Sequence, residues 1–402
     1  MKKKQFWTLR YILLNVTYFA AFCTIHACAA LYLLEQGFSN VEVGVLLAAA
    51  NIVSAIVQPI AADIIDKPGW LTNRRFILIC VAVIGIGSLL LMFVNSSKAA
   101  VFFIYALIYM IQFAYQPVMT ALCFEYQKAG ADIMYGLARG LGSASFAVTS
   151  AIIGKAVETY GVGLLLTVNI VTMLLSALLI FFFRKPETKQ DTVIPETKEA
   201  KPAAGRQGGF SMFVRKYPAY MLFLAGTICF YFAHNMINDF MIQIIRNLGG
   251  GEAQLGYANF LQAILELPVM ALIGIVLKKV TPQKLLVFSG TAFFVKILIL
   301  VFAANMTMMY ISQSFQLFAY AVFIPAAAYY VSNTMDEADQ VKGQAFITSA
   351  ITMGGVFSNL LSGVILDHLG MTSMLLTGTV VCAIGVVIAF IAMTKLPHYR
   401  KG

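Results

Sequence analysis

Twelve apolar stretches follow one another along the chain, each about as long as a helix that crosses a bilayer, and this repetition leaves few folds open. The first six run over 11–34, 41–65, 76–95, 99–126, 137–158 and 162–183. The second six run over 219–245, 253–277, 284–304, 308–332, 343–366 and 371–394. In hydrocarbon every peptide group must be satisfied internally, so each stretch reads as an α-helix. Charged residues are only 11% of the chain and hydrophobic ones 60%, whereas soluble domains run at about a quarter charged. That balance excludes a water-exposed globule, a disordered chain and a nucleic-acid-binding surface. The expected fold is an all-α membrane protein of twelve transmembrane helices. Lys2, Lys3 and Lys4 ahead of an apolar run imitate a signal peptide, but 11–34 is too long for one and is expected to stay as the first span.

Between the two sets of six lies the one long polar segment, rich in Pro, Gly, Thr and charge, which cannot build a core. The expected organisation is an N-terminal six-helix bundle over 1–183, a cytoplasmic linker over 184–217 and a C-terminal six-helix bundle over 218–402. Threaded with the N-terminus inside, the chain puts 23 Lys and Arg residues on the cytoplasmic side and only Lys98, Lys155 and Arg246 on the other. This asymmetry assigns both termini to the cytoplasm of a multi-pass protein in the cell membrane. It also accounts for the net charge of +10 without an acidic partner. The six cysteines stand singly in apolar runs and the four histidines form no metal-binding pattern, so neither a metal nor a cofactor is expected. No phosphate-binding loop is present to drive transport with ATP, and Gly249-Gly250-Gly251 reads as a tight external turn.

The halves carry traces of duplication. An ungapped shift of 212 residues superposes Gly37 on Gly249, Gly44 on Gly256, Ile52 on Ile264, Val57 on Val269 and Lys67 on Lys279. A second pairing sets Pro117 against Pro325, Gly136 against Gly343 and Gly161 against Gly370. Duplicated bundles place a substrate site between the repeats near the bilayer midplane.

Gln58-Pro59, then Asp66-Lys67, then Arg74-Arg75 resemble the loop signature GxxxDRxGR[RK] of the major facilitator superfamily. Gly136-Leu137-Ala138-Arg139-Gly140-Leu141-Gly142 on the fifth span is similar to the GxARxxG of its lactose permease, oligosaccharide:proton symporter branch. Ser289-Gly290-Thr291 through Lys296 resembles that branch's GTxxxV(R) on the ninth span. The resemblance implies two pseudo-symmetric bundles, proton-coupled sugar uptake, a sugar-binding Arg139 with Glu125 as its partner carboxylate, and Phe146 where the branch stacks a Trp on sugar. It also implies that Asp66, Arg74 and Arg75 form a cytoplasmic latch stabilising one state of the transport cycle. The chain departs from the pattern in places: the loop glycine is Ala62, and the proton-coupling His and Glu of the tenth span fall on Gln316 and Ala319, which cannot titrate.

Charges inside spans are costly and ordinarily face a cavity or a partner. Arg139 early in the fifth span offers a fork that can hold two hydroxyls or a carboxylate, and Glu125 late in the fourth lies on an antiparallel neighbour. Asp239, Glu266 and Lys296 sit in the seventh, eighth and ninth spans, where mutual pairing would leave one acid free to bind a proton. Glu266, in mid-span beside Pro268, is the foremost proton carrier, with Asp239, Lys296 and His234 coupled to it. His26 and Gln316 join Arg139, Glu125 and Phe146 as candidate solute contacts. Asn15, Asn51, Gln112, Asn238 and Gln262 could add contacts to hydroxyls. Structural ion pairs and satisfied core histidines are the plainer reading of the same residues.

The expected function is alternating-access import of a sugar or related polyhydroxylated solute with protons, by a monomer whose partners are solute, protons and lipid. Two rivals stand: an efflux antiporter of the same fold, which the absent Gly-Pro in the fifth span counts against, and a solute sensor that does not transport.

Overall fold

The computed structural model describes residues 2–66, 69–94, 97–185 and 210–396, and among them all regular structure is helical. The helices form twelve rods. α1 is Lys2–Phe22, continued through a π turn at Cys23–Ala27 into Ala29–Glu35. α2 to α6 are Asn40–Asp66, Asn73–Phe93, Lys98–Lys128, Tyr135–Tyr160 and Gly163–Phe182. A short helix, Phe210–Lys216, leads into α7, which is Pro218–Asp239 followed after a break by Met241–Asn247. α8 and α9 are Glu252–Val276 and Pro282–Val301. α10 is Met306–Ser314, a 3-10 turn at Phe315–Leu317, and Tyr320–Thr334. α11 and α12 share Glu337–Phe390 and part at Gly370, whose φ of +81° is open to glycine and breaks the helix.

Ten stretches are long and apolar enough to cross a membrane, Asp339–Lys395 counting once; dividing it at Gly370 and adding α8 gives twelve. The expected spans and the observed rods agree. Most of the expected linker, 186–209, lies outside the described residues, as does Lys67.

Local chemistry sets the ends of the rods. The side chains of Thr72, Ser97 and Asn305 accept N–H groups in the first turns of α3, α4 and α10, and Pro218 and Pro282 occupy first-turn positions that need no donor. Internal prolines recur at matching places in the two halves: Pro59 in α2 and Pro268 in α8, Pro117 in α4 and Pro325 in α10. The glycines that the internal repeat superposes share a backbone conformation: φ is +79° at Gly37 and Gly249, +78° at Gly161 and +81° at Gly370.

The two halves meet closely on the face opposite the termini. There Gly154 of α5 and Gly256 of α8 lie backbone to backbone: a Cβ on Gly154 would stand 2.5 Å from the Glu252 oxygen and 2.8 Å from the Gly256 Cα. Ser150 donates to the Gly256 carbonyl at 2.9 Å, and the Ala253 N–H donates to Glu158 at 3.0 Å. α2 meets α11 in the same way. Asn40 and the Val41 N–H both donate to Asp367, and a Cβ on Gly44 would overlap the Asn359 carbonyl. Arg246 at the end of α7 holds Glu35 of α1 and Glu252 of α8, each at 2.7 Å.

On the termini face the same helices diverge. A Cβ on Gly136 or Gly140 of α5, or on Gly274 of α8, would meet nothing within 4 Å. The halves therefore form a wedge, sealed on one face and open on the other.

Candidate functional site

Inside the wedge lies a cavity of about 850 Å³ lined from both halves. The wall from the first half is aromatic. Phe19, Phe22 and His26 recur at helical spacing along α1 and face Tyr109 and Phe113 of α4 and Phe146 of α5. The π turn at Cys23–Ala27 carries His26, whose ring stacks on Phe22 at 4.0 Å and 8° and lies 3.8 Å from Tyr109. Phe146 stands 6.4 Å from Phe22. Together these rings form a platform suited to an apolar molecular face.

Arg139 projects from α5 into this wall. Its guanidinium lies 4.4 Å over the Phe19 ring and donates one hydrogen bond, to Ser143 at 2.7 Å. Gly142 lets α1 come near enough to put that ring there, since a Cβ would strike Phe19 at 2.5 Å. A guanidinium carries five N–H donors, so most of them remain for a solute.

The facing wall is polar. His234, Asn235, Asn238 and Asp239 come from α7, Gln262 and Glu266 from α8, Gln316 and Tyr320 from α10, and Thr348, Ser349 and Thr352 from α11. His234 meets Asn238 at 2.9 Å and stacks on Tyr320 at 5.4 Å. Four buried atoms on lining residues have no hydrogen-bond partner: His26 Nε2, Tyr231 Oη, His234 Nδ1 and Asn238 Oδ1.

The three charges of the second half do not pair directly. Lys296 is fully buried and absent from the lining; its Nζ donates to Gln316 Oε1 at 2.8 Å. The Gln316 Nε2 then donates to Glu266 Oε1 at 2.9 Å. A neutral amide thus stands between ammonium and carboxylate, where sequence reasoning expected an ion pair. Asp239, at the break of α7, forms no ion pair among the described residues.

Other expected residues lie elsewhere. Glu125 is outside the cavity, toward the termini face, where it accepts from Asn73 at 3.0 Å and pairs with Lys185 at 3.2 Å. Among the described residues its ion pair is with Lys185 and not with Arg139. Arg74 caps the last carbonyls of α6, donating to Ile180 at 3.0 Å and Phe181 at 2.7 Å, and Arg75 donates to the Trp70 carbonyl at 2.6 Å. Asp66 ends α2, and its side chain lies outside the described residues. Asn15 and Gln112 are buried within the first bundle, whereas Asn51, Asn238 and Gln262 reach the cavity. Sequence reasoning passed over Phe22, Tyr109, Phe113, Tyr231 and Tyr320. The i, i+3, i+7 spacing of Phe19, Phe22 and His26 was the signal for the first of these.

The sequence model of the MFS_1 like family matches residues 6–396. No curated protein matches the chain in sequence. Among solved structures, the chain is similar to the nucleoside transporter NupG, with 15% identity and a TM-score of 0.77 over 97% of this chain and 100% of that one. It is similar to a bacterial homologue of the human lysosomal transporter Spinster in an inward-facing, unoccupied conformation, with 13% identity and a TM-score of 0.71 over 97% of each chain. An auto-inhibited peptide transporter of the POT family aligns with 9% identity and a TM-score of 0.77 over 98% of each chain. At these identities the likeness is one of fold.

Proposed function

The chain belongs to the MFS_1 like family, a multi-pass membrane transporter of the major facilitator fold, and on that premise we propose that it imports a sugar or related polyhydroxylated solute together with protons. The observation that carries this reading is the cavity itself: Arg139 with free donors, an aromatic platform, and two carboxylates without a direct ion pair in one space between the halves. Sugars present an apolar ring face and many hydroxyls, which match the two walls. Arg139 grips hydroxyls with its fork, Phe146 and the α1 rings receive the apolar face, and His26 completes the contacts, while Gln316, both ends of whose amide are held by Lys296 and Glu266, belongs to the proton site instead. Glu266 carries the proton, with Asp239, Lys296 and His234 tuning it.

In this reading 1–183 and 218–402 move as two bodies joined by 184–217, and the positive charge assigns the termini face to the cytoplasm of the cell membrane. The wedge is then open inward. Solute and proton shift the two-state balance by their differential affinity for each state. Asp66, Arg74 and Arg75 act as a latch on one state, and the monomer is the working unit. Within the solute class, the aromatic platform favours a nucleoside as the second reading, since a base stacks on rings as a sugar does. The fold likeness to a nucleoside transporter is a reason to keep nucleosides in view.

Purified protein in proteoliposomes under an inward proton gradient tests the proposal against a panel of sugars and nucleosides. The expected result is gradient-driven accumulation of one of them, lost in Glu266→Gln while solute exchange continues. Failure of every candidate to accumulate overturns symport. Extrusion against the gradient identifies the efflux antiporter. Solute binding without any flux, unaltered by Glu266→Gln, identifies a sensor.

A further inference from the structure

We propose that Gln316 is a positioning residue of the proton site: clamped by Lys296, it holds one oxygen of Glu266 as an acceptor and confines the exchangeable proton to the other. The inference rests on the reading of Glu266 as proton carrier and adds how that carrier is oriented.

The argument begins with which end of the amide faces which neighbour. A lysine ammonium has three donors and no acceptor, so the end of Gln316 beside Lys296 is its oxygen. The opposite end is therefore the NH2 group, and it meets Glu266 Oε1 at 2.9 Å. Lys296 is fully buried and Gln316 is 3% exposed, so the two side-chain partners dominate the surroundings of the amide. While Lys296 stays charged the amide cannot turn over, because that would set NH2 against NH3+. A proton on Oε1 is disfavoured, because the carbonyl oxygen of a carboxylic acid accepts the Gln316 N–H better than its hydroxyl oxygen does. Protonation then converts the carboxylate to a carboxylic acid whose O–H is on Oε2, the oxygen that Gln316 leaves free on a residue lining the cavity. No other bond changes, and the proton arrives from the aqueous cavity.

The charged and titratable groups facing this unit fit that role. Arg139 of α5 acts on Glu266, whose charge in turn reaches Tyr231 of α7 and Tyr320 of α10, and the charge of Lys296 reaches His234 of α7. None of them supplies a hydrogen bond that would replace the amide. The Ser312 hydroxyl fixes the α9 backbone at Lys296 by donating to its carbonyl at 2.7 Å, so the clamp has a rigid base. An amide at 316 also keeps the ammonium from closing directly on the carboxylate, which would hold it permanently ionised.

Two fluxes measured in the same proteoliposomes distinguish positioning from mere support: solute exchange without a gradient, and proton-driven accumulation. Gln316→Met keeps the length without hydrogen bonds, and Gln316→Glu keeps the shape but presents acceptors on both sides. Both are expected to lower accumulation about tenfold or more, the worth of a hydrogen bond to a charged group, while exchange is retained. Gln316→His is expected to restore coupling, since a neutral imidazole offers one acceptor and one donor on opposite edges. Should the Met variant fail to fold, the Glu and His pair carries the comparison. Accumulation at the wild-type level in the Met or Glu variant overturns the inference, as does a parallel loss of exchange and accumulation. If the wild-type protein itself shows no proton-driven accumulation, the symport reading fails first, and that result is separate.

Discussion

On the proposed alternating-access cycle, the backbone-to-backbone contacts of the sealed face exist in one state only, and two methyl groups test this. At Gly44 a Cβ would overlap the Asn359 carbonyl of α11; at Gly256 it would overlap the Ser150 carbonyl of α5 and stand 3.0 Å from the Gly154 Cα. The obstructing atoms are main chain, so the helices must separate. Overpacking of this kind costs about 1–3 kcal/mol per site. The sites lie on different helix pairs and share no partner, so their effects add to about 2–6 kcal/mol. At about 1.4 kcal/mol per tenfold, the double variant Gly44→Ala, Gly256→Ala shifts the balance away from the sealed state by about 30-fold to 10⁴-fold. Alanine also raises helix stability by about 0.5–1 kcal/mol over glycine, but equally in both states, so the fold need not weaken. Spin labels at Ser39 and Leu369, on the sealed face of opposite halves, report the change as a longer distance population. The native cysteines are buried or half-buried and so compete poorly for label. An unaltered distance distribution in a variant that melts normally would refute the idea that these contacts are state-specific.

Three further outcomes follow from particular contacts. Arg139→Lys should weaken solute binding about tenfold or more, measured by calorimetry, because an ammonium cannot reproduce the guanidinium fork. Arg246→Gln should shift the same spin-label distances only slightly, by a factor of about five at most, and less in high salt, because half-exposed ion pairs are worth about 0–1 kcal/mol. Lys216 is tied to Asp336 at 2.6 Å and Asp339 at 2.7 Å just before α7. Burial opposes its charge, but the hydrogen bonds it donates to Asp336 and Asp339, with Tyr217 beside it, outweigh burial and raise the ammonium well above its ordinary 10.5. A raised value contributes stability that is fully present below the ordinary one, so the melting-temperature loss in Lys216→Met should be the same from about pH 6 to about pH 9.

What the sequence could and could not disclose follows from the range of the interactions. Span positions rest on runs of side chains compared with a bilayer's thickness, and the repeat rests on residues whose roles are backbone roles: Gly37 and Gly249 turn with the same φ, and Gly44 and Gly256 each admit a helix of the other half. Arg139, Asp239 and Glu266 were legible because a charge in a span must face something polar, and the cavity is where these three point. Glu125 obeys the same rule by another route. It lies further along α4 than the cavity-lining Tyr109 and Phe113, where Lys185 and Asn73 satisfy it. Composition alone does not separate those two solutions.

The relation among Lys296, Gln316 and Glu266 was not legible for a geometric reason. Each belongs to a different helix, and the facing of α8, α9 and α10 is set by packing between rods rather than by any pattern within one. Read singly, the glutamine is a residue that cannot titrate where a titrating one is expected, and the lysine is a charge without a partner. Placed together, each accounts for the other. The buried ammonium dictates the orientation of the amide, the amide dictates which carboxylate oxygen remains available, and a side chain that never changes charge thereby directs one that can. The same holds for the sealed face, where Asn40 and Asp367 are 327 residues apart and meet only because two bundles close upon each other. The proposed proton site and the seal join along α7. Asp239 closes its cavity segment, and after the break at Phe240 the next segment carries Gln243 to Asn40 at 2.9 Å and Arg246 to Glu35. A change at the cavity end of that helix is therefore mechanically adjacent to the contacts that hold the far face shut.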